Sequence, residues 1–140
     1  MSTIRIHTDG GARGNPGPAA IGVVVKNESG AVLKKISRKI GEVTNNVAEY
    51  SAVIAGLEWL KSNVTMKEVS NVTIHFFLDS TLVVNQLNGL FRVKDSNLRN
   101  LLLHVRQLEQ EAGGTIFYTY IPREKNYEAD ILVNQALDNG

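Results

Sequence analysis

Apolar and polar residues alternate from residue 4 to residue 9, setting Ile4, Ile6 and Thr8 against Arg5, His7 and Asp9, a pattern that predicts a strand. Two further β-rich runs, AIGVVVKN (20–27) and VLKKISRKI (32–40), flank the turn residues ESG and predict a hairpin continuing from that strand. Between Asn46 and Lys61 the period changes: Val47, Tyr50, Ile54, Leu57 and Leu60 recur at helical spacing. VTIHFFLD (72–79) returns to strand, and STLVVNQLN starts a short helix with Ser80 as its cap. Leu98, Leu101, Leu102, Val105 and Leu108 form one stripe of a further helix. TIFYTYIP (115–122) is a strand stopped by Pro122, and Ala129, Leu132, Val133, Ala136 and Leu137 mark a final amphipathic helix.

The resulting order, βββαβαβα with the middle helical region counted as one unit, joins an antiparallel meander to parallel crossovers. It predicts an α/β fold with a five-stranded mixed sheet and helices on both faces. If the first and fourth strands are parallel neighbours, their C-terminal ends lie about 4.8 Å apart, and those ends are Asp9 and Asp79. Open α/β sheets place their sites at that edge.

Composition narrows the picture. At 140 residues, with 43% hydrophobic and 21% charged residues, the chain is expected to be one domain spanning 1–140 with its own core. The absence of cysteine excludes thiol catalysis, cysteine-based zinc sites and disulfide scaffolds. MSTIRIHTDG has no apolar signal core and no run reaches the roughly eighteen apolar residues of a membrane span, so no membrane role and a cytoplasmic location are the default expectation. A net charge of +1 gives no global pull toward polyanions; nucleic-acid contact must come from a local site.

The stretch GGARGNPGP resembles a phosphate cradle only in composition. It has no G-x-G-x-x-G and no Gly-Lys-Ser/Thr, and a strand follows where those motifs require a helix. A turn built from Gly, Asn and Pro accounts for it. Asp9 has a local use as a turn residue, Asp79 as a helix cap, and Asp130 as a surface charge. Asn46-Val47-Ala48-Glu49 has capping-box spacing, which would make Glu49 a structural partner at the third helical position. As a set they say more: two strand ends, one helix start and one late helix bring four carboxylates together. Mutual repulsion raises their pKa values unless cations intervene. Hard oxygen ligands, without cysteine or an H-x-x-x-H pair, select magnesium or manganese over zinc. Two such ions roughly 4 Å apart are an arrangement for cutting phosphodiesters. His7, His75 and His104 share no ligand spacing and read as strand or surface positions.

Four segments, TDGGARGNPGPAAIG (8–22), TNNVAEYSAVIAGLEWL (44–60), LDSTLVVNQLNG (78–89) and IPREKNYEADILVNQAL (121–137), resemble the type 1 ribonuclease H family in sequence and in order. The resemblance implies the ribonuclease H-like fold and hydrolysis of the RNA strand of RNA/DNA hybrids, leaving 5′-phosphate and 3′-hydroxyl ends. It implies that Asp9, Glu49, Asp79 and Asp130 are catalytic and hold two Mg²⁺ ions, with Mn²⁺ as a possible substitute. It places Asn15, Asn45 and Asn46 at the substrate and Thr44 at a DNA phosphate; neutral donors suit the 2′-hydroxyls of a shallow minor groove. A monomer is the favoured state.

Three departures are visible. The loop IPREKN lacks the family's histidine, leaving Arg123, Glu124 and Lys125 as the nearest candidates for its role. The basic protrusion of some members is missing, with only Arg92, Lys94 and Arg99 in that region, which predicts weak, salt-sensitive binding. Thr81 stands where relatives often have Gln. These features match a compact, protrusion-free branch. Two alternatives remain: a non-catalytic nucleic-acid-binding module, and a same-fold nuclease with another substrate. The proofreading exonucleases among the latter carry a second acid where Gly11 stands here.

Overall fold

A computed structural model describes residues 2–64 and 72–139. Strands β1 (Ser2–Ala12), β2 (Gly17–Lys26) and β3 (Val32–Val43) lead into helix α1 (Asn45–Asn63). After these come β4 (Val72–Leu78), α2 (Thr81–Leu87), α3 (Ser96–Ala112), β5 (Thr115–Tyr120), a 3-10 turn (Arg123–Lys125) and α4 (Tyr127–Asp138). The sheet order is β3-β2-β1-β4-β5. β3, β2 and β1 are antiparallel, whereas β1–β4 and β4–β5 are parallel. This is the expected mixed sheet.

Helices cover both faces. Ile4, Ile6, Ile21, Val23, Val25, Ile74, Phe76 and Leu78 point toward α1, α2 and α3 and form the larger core with Tyr50, Val53, Leu57, Leu60, Val83, Leu98 and Val105. On the other face Ala20 meets Val133, Ala136 and Leu137 of α4. Small residues set how closely the helices lie. A Cβ on Gly10 would fall 2.2 Å from the carbonyl of Ala48 in α1, and one on Gly22 would fall 2.1 Å from the carbonyl oxygen of Ala129 in α4. Ser37 Oγ adds a 2.6 Å hydrogen bond to the Leu132 carbonyl, fixing α4 over β3.

The structure revises three expectations. β1 does not end at Asp9 but runs on to Ala12, still paired with β2 through Ala12↔Ala19. Its pairing with β4 reaches only His7↔Phe77, so Asp9 lies level with Asp79 at the point where β1 and β4 part. Gly10 and Gly11 are therefore strand residues, and the turn is confined to 13–16, where Gly14 has φ 105° and the Asn15–Pro16 bond is cis. The middle helical region holds the two helices expected there, α2 and α3: Gly89 at φ 75° ends the first, and Asp95 caps the second by accepting from the Leu98 N–H at 3.0 Å. Lastly, α1 begins two residues before Val47, the first of its hydrophobic stripe: Thr44, not Asn46, is its cap, with Oγ1 accepting from the Val47 N–H at 3.3 Å.

A candidate active site of converging carboxylates

That change of cap releases Glu49 from the capping-box role. Glu49 lies in the second turn of α1, and its Oε1 accepts instead from the Gly10 N–H at 3.4 Å, across the close approach that Gly10 permits. Asp9 comes from the middle of β1, Asp79 from the residue after β4, and Asp130 from the first turn of α4. Asp9 and Glu49 are each only 6% exposed, while Asp79 and Asp130 are half-buried. All four line one cleft of about 610 Å³. One carboxylate oxygen from each of Asp9, Glu49 and Asp79 lies within 4.8 Å of the others. Asp130 stands outside that triad but rests against Asp9.

The electrostatics follow from the geometry. Burial, then the charge of Asp79, pushes Asp9 up to about 7, and contact with Asp130 adds to the rise. Burial and then the charges of Asp9 and Asp79 hold Glu49 well above the usual carboxylate range. Glu49 Oε2 is buried with no partner. A buried acceptor without a donor costs about 1–3 kcal/mol, and a group of like charges this close is favourable only once cations occupy it. The donor set is all-oxygen, which suits a hard divalent cation.

Of the four neutral residues expected at the substrate, Asn45 and Asn46 line the cleft and Asn15 and Thr44 do not. Asn15 Oδ1 accepts from the Asn45 N–H at 3.0 Å, and Asn45 Oδ1 accepts from the Ala12 N–H at 2.8 Å. These bonds lock the 13–16 turn to the start of α1. They use only the oxygens of the two amides, so among the described residues both NH₂ groups remain available as donors. The Thr44 hydroxyl is committed to its cap.

Two cleft residues carried no signal in the sequence pattern. Arg13 is exposed in the turn and pairs with Asp138 at 2.6 Å. Asn134, one turn after Asp130, receives a 3.4 Å hydrogen bond from Arg13. Behind the cleft wall, Asn126 is 1% exposed, and its Nδ2 donates to Asp79 Oδ2 at 3.0 Å. Asn126 opens the Asn-x-x-x-Asp spacing that ends at Asp130, and only that spacing marks it. Arg123, in the short loop that lacks histidine, is highly exposed and stands 3.7 Å from Asp130. Thr81 lines the cleft, and its neighbour Ser80 caps α2, accepting from the Val83 N–H at 3.2 Å. His7 and His75 are strand residues stacked on Phe77 and Phe117, and His104 is exposed on α3.

Comparison with known proteins agrees with this arrangement. The family model described as "Reverse transcriptase-like" matches residues 7–136. The structure superposes on LC11-RNase H1, isolated from compost, with TM-score 0.92 at 44% identity, covering 99% of this chain and 98% of that one. The chain belongs to the type 1 ribonuclease H family. RNase H1 of the halophilic archaeon Halobacterium salinarum gives a TM-score of 0.89 at 36% identity over 99% of both chains. The fold is thus the ribonuclease H-like fold expected from the sequence. The curated ribonuclease HI of H. salinarum is 38% identical over 137 residues, 96% of this chain and 65% of that protein. A bifunctional protein of Mycobacterium tuberculosis is 41% identical over 135 residues, and the chain spans only 35% of its length. Among the described residues no helix is long and apolar enough to cross a membrane.

Proposed function

We propose that this chain is a divalent-metal-dependent endoribonuclease that hydrolyses the RNA strand of RNA/DNA hybrids, leaving 5′-phosphate and 3′-hydroxyl ends. The observation that carries the proposal is the triad Asp9, Glu49 and Asp79, whose oxygens converge within 4.8 Å while Glu49 Oε2 is orphaned. A cluster that raises its own pKa values is unfavourable for the apo protein and useful only to a cation. Support for the substrate comes from LC11-RNase H1, whose structure has been determined in complex with an RNA/DNA hybrid; it matches with TM-score 0.88 at 44% identity over 97% of each chain.

In this reading Asp9, Glu49, Asp79 and Asp130 hold two Mg²⁺ ions, with Mn²⁺ as a substitute. When bound, such ions supply Lewis-acid activation of the attacking water and stabilisation of the leaving 3′-oxygen. The chain's own residues do the rest. Gly10, by having no Cβ, brings Glu49 up to β1. The free amide NH₂ groups of Asn15 and Asn45, with Asn46 in the cleft, donate to the substrate and read its 2′-hydroxyls. Thr44, at the N-terminus of α1, stands beside the DNA strand, and Arg123 places positive charge at the exposed side of Asp130. Residues 1–140 serve as one catalytic domain, acting as a cytoplasmic monomer.

The test is a substrate panel. The protein and Asp79→Asn are incubated with end-labelled RNA/DNA hybrid, single-stranded RNA, double-stranded RNA and duplex DNA, with and without Mg²⁺. Cleavage of the hybrid's RNA strand alone, dependent on metal and absent from the variant, is expected. Equal cleavage by the variant, or cutting of another substrate in preference to the hybrid, would overturn the proposal. Binding of the hybrid without cleavage would favour the non-catalytic module.

A further inference from the structure

Asn126 occupies an unusual position for its chemistry. It is the N-cap residue of α4, where an asparagine ordinarily accepts from the second or third helical N–H, yet its side chain makes no cap bond. The amide turns away from the helix into the sheet. There Nδ2 donates both to the Thr8 carbonyl at 2.9 Å and to Asp79 Oδ2 at 3.0 Å. Its Oδ1 is buried and has no partner. Leaving a buried amide oxygen unpaired and a helix end uncapped both cost stability. The residue is therefore poorly chosen for folding alone. Its backbone adds the other half of the arrangement: the Asn126 carbonyl accepts from the Asp130 N–H at 3.1 Å, starting the turn that carries Asp130.

We propose that Asn126 is a positioning residue of the metal site: one amide ties the Asp79 carboxylate to β1, beside Asp9, while its own backbone sets the helical turn of Asp130. Three of the four carboxylates thus take their relative places from a single buried side chain and its main chain. The inference rests on the metal-site reading given above. It accounts for the residue type. The position needs a donor, because Asp79 and the Thr8 carbonyl are both acceptors. It also needs a neutral donor of short reach: an Asp there would add a fifth carboxylate against Asp79, and an apolar residue would leave the carboxylate free to rotate. Asp79 receives no other side-chain hydrogen bond among the described residues, so no second side chain among them holds its orientation. The bond goes to one oxygen and leaves its partner open to a cation.

Two variants test this, Asn126→Ala and Asn126→Ser. Serine suits an N-cap but is too short to bridge Thr8 and Asp79, so it supports α4 and folding while losing the tether; it is the variant to use if alanine does not fold. Measured by calorimetric Mg²⁺ titration on protein shown by circular dichroism to be folded, either change is expected to weaken metal affinity by about tenfold or more. It should lower kcat on a hybrid with KM for the hybrid little changed. The melting temperature of metal-free Asn126→Ser should be equal to or above that of the wild type. A folded variant that binds Mg²⁺ as tightly as wild type and keeps its kcat overturns the role of Asn126. Failure of the wild-type protein itself to bind Mg²⁺ overturns the metal-site reading, and the inference with it.

Discussion

Gly10 and Glu49 meet across β1 and α1: the glycine N–H donates to Glu49 Oε1 at 3.4 Å, and a Cβ on the glycine would lie 2.2 Å from the Ala48 carbonyl carbon and oxygen. Backbone on both sides leaves no flexible atom to yield. Gly10→Ala is therefore expected to push α1 off the sheet, costing about 3 kcal/mol and lowering the melting temperature by roughly 10 °C. Its neighbour provides the control. A Cβ on Gly11 would lie 3.7 Å from Val133 Cγ1, an ordinary contact, so Gly11→Ala should change stability by about 1 kcal/mol or less. Thermal melts of the two variants check this; equal losses would mean that the glycines serve the turn and not the helix contact.

On the proposed reading Mg²⁺ binds the folded cluster and not the unfolded chain, so it should raise the melting temperature in proportion to the logarithm of its concentration, by about 2.7 kcal/mol of stability at a hundred times Kd. Scanning calorimetry with Mg²⁺ and with chelator measures the shift. Asp79→Asn should abolish most of it.

Metal-free stability should fall as pH rises. Asp9 titrates near 7 in the folded protein and near 3.8 when unfolded, so between those values the folded state binds the extra proton. This contribution is fully present below about pH 4 and is lost as pH rises through about 7, roughly 4 kcal/mol in all, and is flat above about pH 8. Urea melts across pH 4–8 in chelator should show the decline. Asp9→Asn should flatten it and, at pH 8, leave the metal-free variant more stable than wild type while abolishing cleavage. A destabilised variant would instead show that Asp9 mainly holds the strand.

Thr44 offers two roles that one substitution separates. Thr44→Asp keeps an acceptor for the Val47 N–H and so preserves the helix cap. If the residue also faces a DNA phosphate, the added charge should raise KM for the hybrid severalfold with the melting temperature unchanged. Unchanged KM would confine Thr44 to its cap.

Arg92 and Lys94 lie exposed in the connection between α2 and α3, where Arg99 is turned back onto the Lys94 carbonyl at 2.8 Å. Few cations there mean that few phosphates are neutralised. Replacing Arg92 and Lys94 by alanine should weaken hybrid binding and lower the slope of log K against log salt by about one for each phosphate no longer neutralised, with kcat unaffected.

The fold was largely legible because its periods are clear. Alternation in β1 and β4 and the stripes of α1, α3 and α4 name the buried faces directly, and the βββαβαβα order leaves few sheet topologies. The four carboxylates were legible as a set because the parallel pairing of β1 with β4 brings Asp9 level with Asp79. What pattern alone missed depended on contacts between distant segments. Asn46 has capping-box spacing from Glu49, but Thr44 won the cap, and Glu49 found its partner 39 residues away at Gly10. Asn126 is marked in sequence only by its Asn-x-x-x-Asp spacing from Asp130; its turn toward Thr8 and Asp79 depends on α4 packing across β1 and β2. Gly10 reads as a turn residue because periodicity cannot see that a helix backbone needs the space of its missing Cβ.

The most direct measurement of the central claim is the single-turnover rate of RNA-strand cleavage in a hybrid as a function of Mg²⁺ concentration, for wild type and Asp9→Asn side by side. The account predicts no cleavage in chelator, a saturable rise with Mg²⁺ in the wild type that yields 5′-phosphate products, and no rise in the variant. Cleavage that persists in chelator, or that survives in Asp9→Asn at saturating Mg²⁺, would contradict it.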